Sequence, residues 1–409
     1  MTSPSFRLPP NDVMRLSFKI DRIDPLSTTW SLMTHLKILV LSASAGTGHT
    51  RAAEALRSYA SAAQASIEAT HLDALQFVTP LLRFIYTDAY IFLVRHAPTL
   101  WRHCYRTTNV AKRDGFGHRV RRWAERVNSR SLLAEIARQK PDLIICTHFL
   151  PAELLSRALA AGDADYPVWV QVTDFDLHRM WVQHHMAGYF ASNDEVAFRM
   201  REQGIAAERI FVTGIPIMAA FSDPLDRATC ARELDISPDR ATLLLLGGGA
   251  GFGSVCEIAK RLLELKDDFQ IIALAGNNEA MLAALHQLSI DHPGRLVAKG
   301  YTGQIERLMA CADLVVTKPG GLTTAESLAM GLPMIVIAPI PGQEEQNAHY
   351  LLEQGAALSA FDMATLKYRV SYLLTHESKL AAMGARARSL ARPDAGHRAL
   401  VIALQKAAQ

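Results

Sequence analysis

The 409-residue sequence is poor in aromatic residues and cysteine, and its net charge is small. Aromatic residues make up 7% of the chain, hydrophobic residues 49%, and the formal net charge is +3. This balance excludes a disordered or collagen-like chain, and the length favours two or three domains with full cores. The five cysteines form no C-x-x-C pair, and no nearby histidine pair completes a zinc site. We therefore expect reduced, mostly buried thiols rather than a disulfide scaffold.

The first 36 residues lack an uninterrupted apolar run. A secretory signal peptide needs about 7–15 apolar residues in a row. Charged residues interrupt this region at Arg7, Arg15, Lys19, Asp21, Arg22 and Asp24. We expect residues 1–35 to be an N-terminal extension with little order, and the protein to act in the cytoplasm.

Charge is divided unevenly along the chain. Residues 1–220 contain 25 Lys and Arg against 20 Asp and Glu (+5), whereas residues 221–409 contain 18 against 20 (−2). A basic half favours an acidic or amphiphilic partner, but net charge alone does not choose among nucleic acid, a membrane surface and acidic small molecules.

From Lys37 onward, short apolar strands alternate with helical stretches. Continuous apolar runs, rather than alternating ones, are typical of strands covered on both faces, as in doubly wound α/β domains. The predicted strands are Ile38–Leu41, Leu143–Cys146, Val168–Val172, Leu243–Leu246, Gln270–Ala275, Leu314–Val316 and Met334–Ile337. A glycine-rich strand end at Gly247–Gly251 restarts the pattern, so we place a domain boundary near residues 215–225. The sequence predicts two Rossmann-like domains facing a central cleft, where open parallel sheets bind ligands.

The segment from about residue 76 to 130 interrupts this alternation. An apolar and aromatic stretch, 81–101, is followed by nine Lys or Arg against two acidic residues in 102–130. This order favours contact with an anionic membrane surface. The charged residues within 81–101 and Pro98 disfavour a helix that spans the membrane. The alternative is a buried helix followed by a solvated basic one. Nucleic acid is disfavoured because no recognition motif accompanies the charge. The candidate membrane residues are Phe84, Tyr90, Trp101, Arg119, Arg121 and Arg122.

A first candidate site follows the first strand, in the loop Ser42–Gly48 that opens a helix. Small residues there let backbone N–H groups approach a ligand, and a helix N-terminus favours negative charge. The loop matches neither a Walker A motif nor G-x-G-x-x-G. His49, where the loop meets the helix, is placed to take a proton from a substrate hydroxyl, although a capping or anion-contacting histidine fits the same spacing.

A second candidate site follows the strand Leu314–Val316. Its Gly320-Gly321 turn and helix N-terminus suit a diphosphate, and Thr323 and Thr324 add hydroxyl donors. Glu326, one turn further, is placed to bind ribose hydroxyls. After the next strand, an amide and a carboxylate at Gln343 and Glu344 are suited to sugar hydroxyls.

Five segments together resemble the diacylglycerol glycosyltransferases, which comprise plant monogalactosyldiacylglycerol synthases and bacterial processive diacylglycerol glucosyltransferases. More distantly, they resemble the N-acetylglucosaminyltransferase that forms lipid II. The segments are the His49 loop, Val172–Trp181, Val212–Ile217, Thr317–Thr323 and Pro341–Asn347.

The resemblance implies a GT-B fold and inverting transfer from a UDP-hexose without a metal or other cofactor. It implies an acceptor domain over 36–218, a UDP-sugar domain over 225–390, and a helix at about 392–409 that returns to the first domain. His49 is the implied base. The implied donor contacts are Gly247, Gly248, Tyr301, Thr302, Gly320, Gly321, Leu322, Thr323, Thr324, Glu326, Gln343 and Glu344. The implied acceptor-side residues are Gly48, Asp174, His178 and Trp181.

We therefore expect an enzyme that moves glucose or galactose from a UDP-sugar to diacylglycerol at the cytoplasmic leaflet, held peripherally by anionic lipids. The alternatives are transfer to a polyprenyl-linked acceptor, a UDP-sugar epimerase, and a nucleotide-sugar sensor without catalysis. The sequence does not distinguish glucose, galactose and glucuronate donors, because single hydroxyls are read by small shifts in a site.

Overall fold

A computed structural model describes residues 35–63, 67–110, 130–247 and 254–407. The predicted extension over residues 1–35 lies almost entirely outside the described residues. Two groups of six strands alternate with helices along the chain. The strands are β1 (Leu36–Ser42), β2 (Ile67–Asp73), β3 (Leu143–Cys146), β4 (Val168–Gln171), β5 (Gly188–Ala191), β6 (Ile210–Val212), β7 (Ala241–Leu246), β8 (Phe269–Leu274), β9 (Leu296–Lys299), β10 (Leu314–Thr317), β11 (Met334–Ile337) and β12 (Ala357–Ala360).

The helices are given for each half of the chain in turn. In the first half they are α1 (Thr47–Ala63), α2 (Pro80–Phe84), α3 (Tyr90–His96), α4 (Pro98–Val110), α5 (130–139), α6 (Phe149–Ala161) and α7 (Asp194–Glu202). In the second half they are α8 (Arg227–Leu234), α9 (Val255–Leu263), α10 (Glu279–Asp291), α11 (Ile305–Cys311), α12 (Gly321–Ala329), α13 (Gln343–Glu353), α14 (Met363–Thr375), α15 (Glu377–Leu390) and α16 (Ala395–Ala407).

The first sheet is parallel, in the order β2-β1-β3-β4-β5-β6. β1 lies between β2 and β3, with Val40 opposite His71 on one side and Ile145 on the other. The chain reverses its direction of winding between β1 and β3, and ligands of open sheets bind at such a switch point. The loops that follow β1 and β3 carry His49 and His148.

The second sheet is also parallel, in the order β12-β11-β10-β7-β8-β9. Its switch point lies between β7 and β10, where Thr317 pairs with Leu246. The loops after these strands contain Gly247 and the Gly320-Gly321 turn. Both sheets have buried central strands, in agreement with their apolar runs.

The predicted α/β class with two doubly wound sheets is confirmed. Each predicted strand lies on an observed one, and β2, β5, β6, β9 and β12 were not predicted. The last helix, α16, packs against α1 of the first half, where the Tyr59 ring lies against Gly396. The segment from 80 to 96 is one helical run, with a π turn over Ile85–Ala89 between α2 and α3.

Candidate functional site

His49 lies in the first turn of α1 and is oriented by residues from two neighbouring strand ends. Its Nδ1 is 3.0 Å from the Thr147 carbonyl oxygen and 2.8 Å from Thr173 Oγ1. Thr147 Oγ1 in turn donates to the His49 carbonyl oxygen. A carbonyl oxygen only accepts, so Nδ1 carries the proton in neutral His49. The Nε2 lone pair is therefore available to accept a proton from a substrate.

The aromatic surroundings of His49 keep its ring neutral. The His148 ring meets it edge-on at 4.6 Å between centroids, and the Trp181 ring lies at 6.1 Å. Burial lowers the pKa of His49 to about 4, and the hydrogen bond to Thr147 offsets only part of this effect. A neutral imidazole at physiological pH is the form that acts as a base.

The Gly320-Gly321 turn lies directly beside the His49 loop. Gly320 precedes the first residue of α12, and a Cβ on Gly48 would be 3.6 Å from the Leu322 Cβ, so the N-terminal ends of α1 and α12 meet. A Cβ on Gly321 would lie 2.0 Å from the Thr173 carbonyl oxygen, which only glycine permits. Two helix N-termini at one place favour an anionic group such as a diphosphate.

Glu326 lies one turn into α12 and is buried between the two halves. It is 6% exposed, and burial raises its pKa to about 8, while the charge of Arg51 on α1 acts in the opposite direction. Thr324 is fully buried, and its Oγ1 has no hydrogen-bond partner among the described residues. Thr323 is partly exposed on the same turn. The three residues lie together in the first two turns of α12.

The loop before α13 places Gln343 and Glu344 at the junction of the two sheets. Gln343 Nε2 donates to Asp174 Oδ1 across the cleft. Glu344 Oε2 accepts from the backbone N–H of Ile340 at 2.7 Å, and burial raises the pKa of its carboxyl group. Asp174 was predicted on the acceptor side, yet it contacts a donor-side residue. The reason is that the loop after β4 reaches across to α13.

Asn347 is a bridging residue that the sequence reasoning missed. Its Oδ1 accepts from the Phe175 backbone N–H at 2.8 Å, and its Nδ2 donates to the Pro319 carbonyl oxygen at 3.0 Å. Asn347 is fully buried. It therefore joins the loop after β4 to the loop that forms the Gly-Gly turn. Its signal was its position in the Pro341–Asn347 motif.

The His178 and Trp181 side chains are packed against other protein residues. His178 Nδ1 accepts from the Met180 backbone N–H at 3.2 Å, and Nε2 lies 3.2 Å from the Tyr105 carbonyl oxygen. Both ring nitrogens therefore have protein partners, and His178 ties the loop to α4. The Trp181 ring is 2% exposed and forms part of the first core, beside His49.

Helix α4 contacts the loop of residues 339–342 and the start of α13 through three neighbouring residues. We call this loop the donor loop, because the predicted donor contacts Gln343 and Glu344 follow it directly. Trp101 Nε1 donates to the Pro341 carbonyl oxygen at 3.0 Å, and Arg102 pairs with Glu345 at 2.7 Å. The Tyr105 ring covers Gly342, whose φ is +94°, and a Cβ there would be 2.6 Å from that ring. Trp101 was predicted to face the membrane, but it faces the second half of the molecule.

Tyr90 also differs from its predicted environment, because its ring packs against Trp101 at 4.9 Å. Burial raises the pKa of its phenol, and the Glu344 and Asp174 carboxylates add to this effect. Phe84, by contrast, is exposed as predicted, on an apolar face of the 80–100 segment. The exposed large side chains of this face are Leu81, Phe84, Ile85, Ile91, Phe92 and Leu100. We call this set the apolar face.

Three of the remaining predicted residues follow β9 and β7. Tyr301 is 67% exposed after β9, and Thr302 Oγ1 accepts from the Gln304 N–H. Gly247 follows β7 with a φ of +66°. Gly248 and the three arginines Arg119, Arg121 and Arg122 lie outside the described residues.

Two absences hold within the described ranges of the chain. In those ranges, no three His, Cys, Asp or Glu side chains converge in a way that could hold a metal ion. The helices described also include none with the length and apolarity to cross a bilayer.

Two facing parallel sheets with a cleft between their switch points define the GT-B fold. The crystal structure of MurG from Acinetobacter baumannii has this architecture at 17% identity and a TM-score of 0.59, covering 90% of this chain and 99% of that one. This similarity confirms the predicted fold.

The family resemblance predicted from the motifs is also confirmed. The family model for monogalactosyldiacylglycerol (MGDG) synthase matches residues 49–217, and the model for the glycosyltransferase family 28 C-terminal domain matches residues 242–398. Processive diacylglycerol beta-glucosyltransferases of Bacillus licheniformis and Bacillus mycoides are 27% and 28% identical, over 87% and 88% of this chain and 91% and 92% of theirs.

Proposed function

We propose that the protein is an inverting glycosyltransferase that moves a hexose from a UDP-sugar to the hydroxyl of diacylglycerol. The observation that carries this proposal is the position of His49, which is held through Nδ1 in the first turn of α1, where the N-termini of α1 and α12 meet. The Bacillus relatives are diacylglycerol beta-glucosyltransferases, which supports the transfer of a hexose to diacylglycerol.

In the proposed reaction the glycerol hydroxyl attacks the anomeric carbon of the sugar from the face opposite UDP. His49 Nε2 takes the hydroxyl proton as the new C–O bond forms, and the bond from the anomeric carbon to the diphosphate oxygen breaks. Its electron pair leaves with UDP. One displacement of this kind inverts the anomeric centre, and base catalysis contributes about 10²–10⁴-fold.

Charge on the leaving UDP is stabilised by the two helix N-termini and the backbone N–H groups of the Gly-Gly turn. We propose that Gln343 and Glu344 bind the hydroxyls of the hexose. Glu326 is proposed to bind the hydroxyls of the ribose. We propose that these groups suffice without a metal ion. Adding a chelator to the assay tests this point, because metal-independent transfer keeps its rate.

The acceptor is proposed to enter from the apolar face. On the opposite side of the same helical run, the Tyr86 ring packs against Phe149, which packs against His148 beside His49. An aromatic path thus joins the lipid-facing helix to the base. We propose peripheral docking of the apolar face on the cytoplasmic leaflet, assisted by anionic lipids that attract the basic residues of 102–130.

The test is incubation of purified protein with diacylglycerol vesicles and a panel of UDP-sugars, with the lipids analysed by mass spectrometry. We expect a hexosyl diacylglycerol and an equal amount of UDP. His49→Ala should keep UDP binding and lose most of the turnover, whereas His397→Ala, an exposed control on α16, should keep both.

Four outcomes would contradict the proposal. Glycosylation of a polyprenyl-linked lipid but not of diacylglycerol would show that the acceptor is a polyprenyl-linked lipid. Conversion of one UDP-sugar into another without lipid would indicate an epimerase. UDP-sugar binding without any turnover would indicate a sensor. A near-wild-type rate for His49→Ala would show that His49 is not the base.

A further inference from the structure

Asp174 lies in the first half of the molecule, yet its carboxylate contacts the second half. It follows β4, is 4% exposed, and its Oδ1 accepts a hydrogen bond from Gln343 Nε2. Gln343 is the first residue of α13, at the edge of the cleft. The two residues are separated by 169 positions in the chain. The contact therefore exists only when both halves are folded and together.

The backbone around Asp174 is fixed from both sides. Ser192 Oγ donates to the Asp174 carbonyl oxygen at 2.5 Å, and Asn193 Nδ2 donates to that of Phe175 at 3.1 Å. From the second half, Asn347 accepts from the Phe175 N–H, and the close approach of Gly321 to Thr173 leaves no room for movement. The carboxylate thus has a defined position relative to α13.

A carboxylate at this place determines which end of the Gln343 amide faces the ligand. An ionised carboxylate only accepts, so it binds the NH₂ end of the amide. Gln343 is partly exposed, and its contact with Asp174 occupies only the NH₂ end of the amide. The amide oxygen is thereby left to accept a hydrogen bond from a sugar hydroxyl. Without the hydrogen bond to Asp174, the amide could turn either its oxygen or its NH₂ group towards the sugar.

The electrostatic surroundings leave Asp174 ionised at neutral pH. Burial raises the pKa of this carboxyl to about 6, and Asp176 adds to the effect, whereas hydrogen bonds from Gln343, Asn347 and Trp181 lower it. The Tyr90 and Tyr105 phenols also lie in its field, and burial raises the pKa of each. At pH 7 the acceptor-only form therefore predominates.

We infer that Asp174 is a positioning residue that orients the Gln343 amide and so controls which hexose the donor site accepts. This inference rests on the proposed function, because it requires a UDP-hexose in the cleft. It also means that the first half of the molecule takes part in recognising the donor sugar.

Titration calorimetry with UDP-glucose, UDP-galactose and UDP tests the inference on wild type, Asp174→Asn and Asp176→Asn. Asparagine has the same shape but presents either a donor or an acceptor. We expect Asp174→Asn to weaken binding of the preferred UDP-hexose about tenfold, because the charge-assisted hydrogen bond that orients the Gln343 amide is lost. The preference between the two sugars should decrease for the same reason. Affinity for UDP, which lacks the hexose, should stay within about twofold.

Asp176→Asn is the matched control, because it removes the same charge two residues away, from an ion pair with Arg199 at 2.8 Å. It should bind all three ligands like wild type. Asp174→Glu should keep the sugar preference, because it remains an acceptor only. In a Gln343→Met background, Asp174→Asn should have no further effect on hexose affinity. Asp174→Ser replaces the asparagine variant if that variant does not fold.

Equal hexose affinity and preference in folded Asp174→Asn and wild type would overturn the inference alone. So would an equal loss of UDP and UDP-hexose affinity, which would indicate a general structural role, and a full further loss in the Gln343→Met background. Wild-type protein that binds UDP but no UDP-hexose would overturn both the inference and the proposed function.

Discussion

His49 is oriented by a backbone carbonyl and a threonine hydroxyl rather than by a carboxylate. The Thr147 oxygen fixes the tautomer, and none of the acidic groups in the described part of the chain lies beside Nδ1 to raise the basicity of the ring. The position of His49 was predictable, because a glycine-rich loop ending at a helix is local in sequence. Its partners Thr147 and Thr173 were not, since they lie 98 and 124 residues away and meet it only through the order of strands.

The pH dependence of turnover follows from this arrangement. Burial holds the pKa of His49 at about 4, so the base stays neutral until the pH falls towards that value. We predict that kcat, measured with saturating UDP-hexose, declines on the acid side only near pH 4–5. The ratio kcat/KM should also fall near pH 6, where Asp174 takes up a proton and hexose binding weakens. Profiles of both constants against pH measure this, and an acid limb of kcat centred on 6.5, the ordinary histidine value, would contradict the assigned environment.

Glu326 is predicted to destabilise the ligand-free protein at alkaline pH. Its pKa is about 8 in the fold against 4.5 in the unfolded chain, so the fold binds the proton more tightly. Stability then falls as the pH rises from 4.5 to 8, by on the order of 1 kcal/mol per unit. Glu326→Gln should melt higher than wild type at pH 8 and similarly at pH 4.5, while binding UDP more weakly. A constant difference in melting temperature across this range would contradict the burial of an acid here.

At the scale of elements, the best predicted strands are the buried central ones. β3, β4, β7, β10 and β11 are continuous apolar runs between helices, so their sequence alone identifies them. β2, at a sheet edge, is only partly buried and reads Ile-Glu-Ala-Thr-His-Leu-Asp, which lacks that signal. The 80–110 helices were predicted as a membrane element. The contacts of α4 with the donor loop depend on tertiary packing and were not foreseeable.

The contact between α4 and the donor loop is predicted to support donor binding. Trp101→Phe with Arg102→Met removes the indole donor to Pro341 and the ion pair with Glu345. The loop that carries Gln343 and Glu344 is then held less firmly, and we expect KM for the UDP-hexose to rise about tenfold with a smaller change in kcat. Initial-rate kinetics measure both constants. Arg261→Met, which removes an exposed ion pair on α9, is the control, and an equal effect of the control would contradict the role of α4.

At the scale of the whole molecule, lipid is expected on one side and nucleotide sugar in the cleft. The basic first half agrees with this division, although Arg102 of the basic run is paired with Glu345. The two-sheet architecture was predictable because it follows from a repeated local pattern. The closeness of the two halves at Asp174, Gly321 and Asn347 was not, since it depends on the shapes of both domains.

The apolar face is predicted to dock the protein on membranes. Leu81→Ser with Phe84→Ser removes two of its exposed side chains, which are 69% and 53% exposed. Burying such a side chain contributes roughly 1.5–3 kcal/mol, so we expect at least a tenfold loss of vesicle binding. Cosedimentation with vesicles containing anionic lipid measures it. Ile290→Ser, on α10 of the other half and 70% exposed, should bind like wild type. Unchanged binding by the double variant would place the docking surface elsewhere.

The anomeric configuration of the lipid product tests the central claim most directly. Purified protein, diacylglycerol vesicles and an α-linked UDP-hexose are incubated together, and the glycolipid is analysed by proton NMR. A single displacement assisted by His49 predicts a β-linked hexosyl diacylglycerol and one UDP released for each linkage formed. An α-linked product, or consumption of the UDP-hexose with no glycolipid formed, would contradict the account.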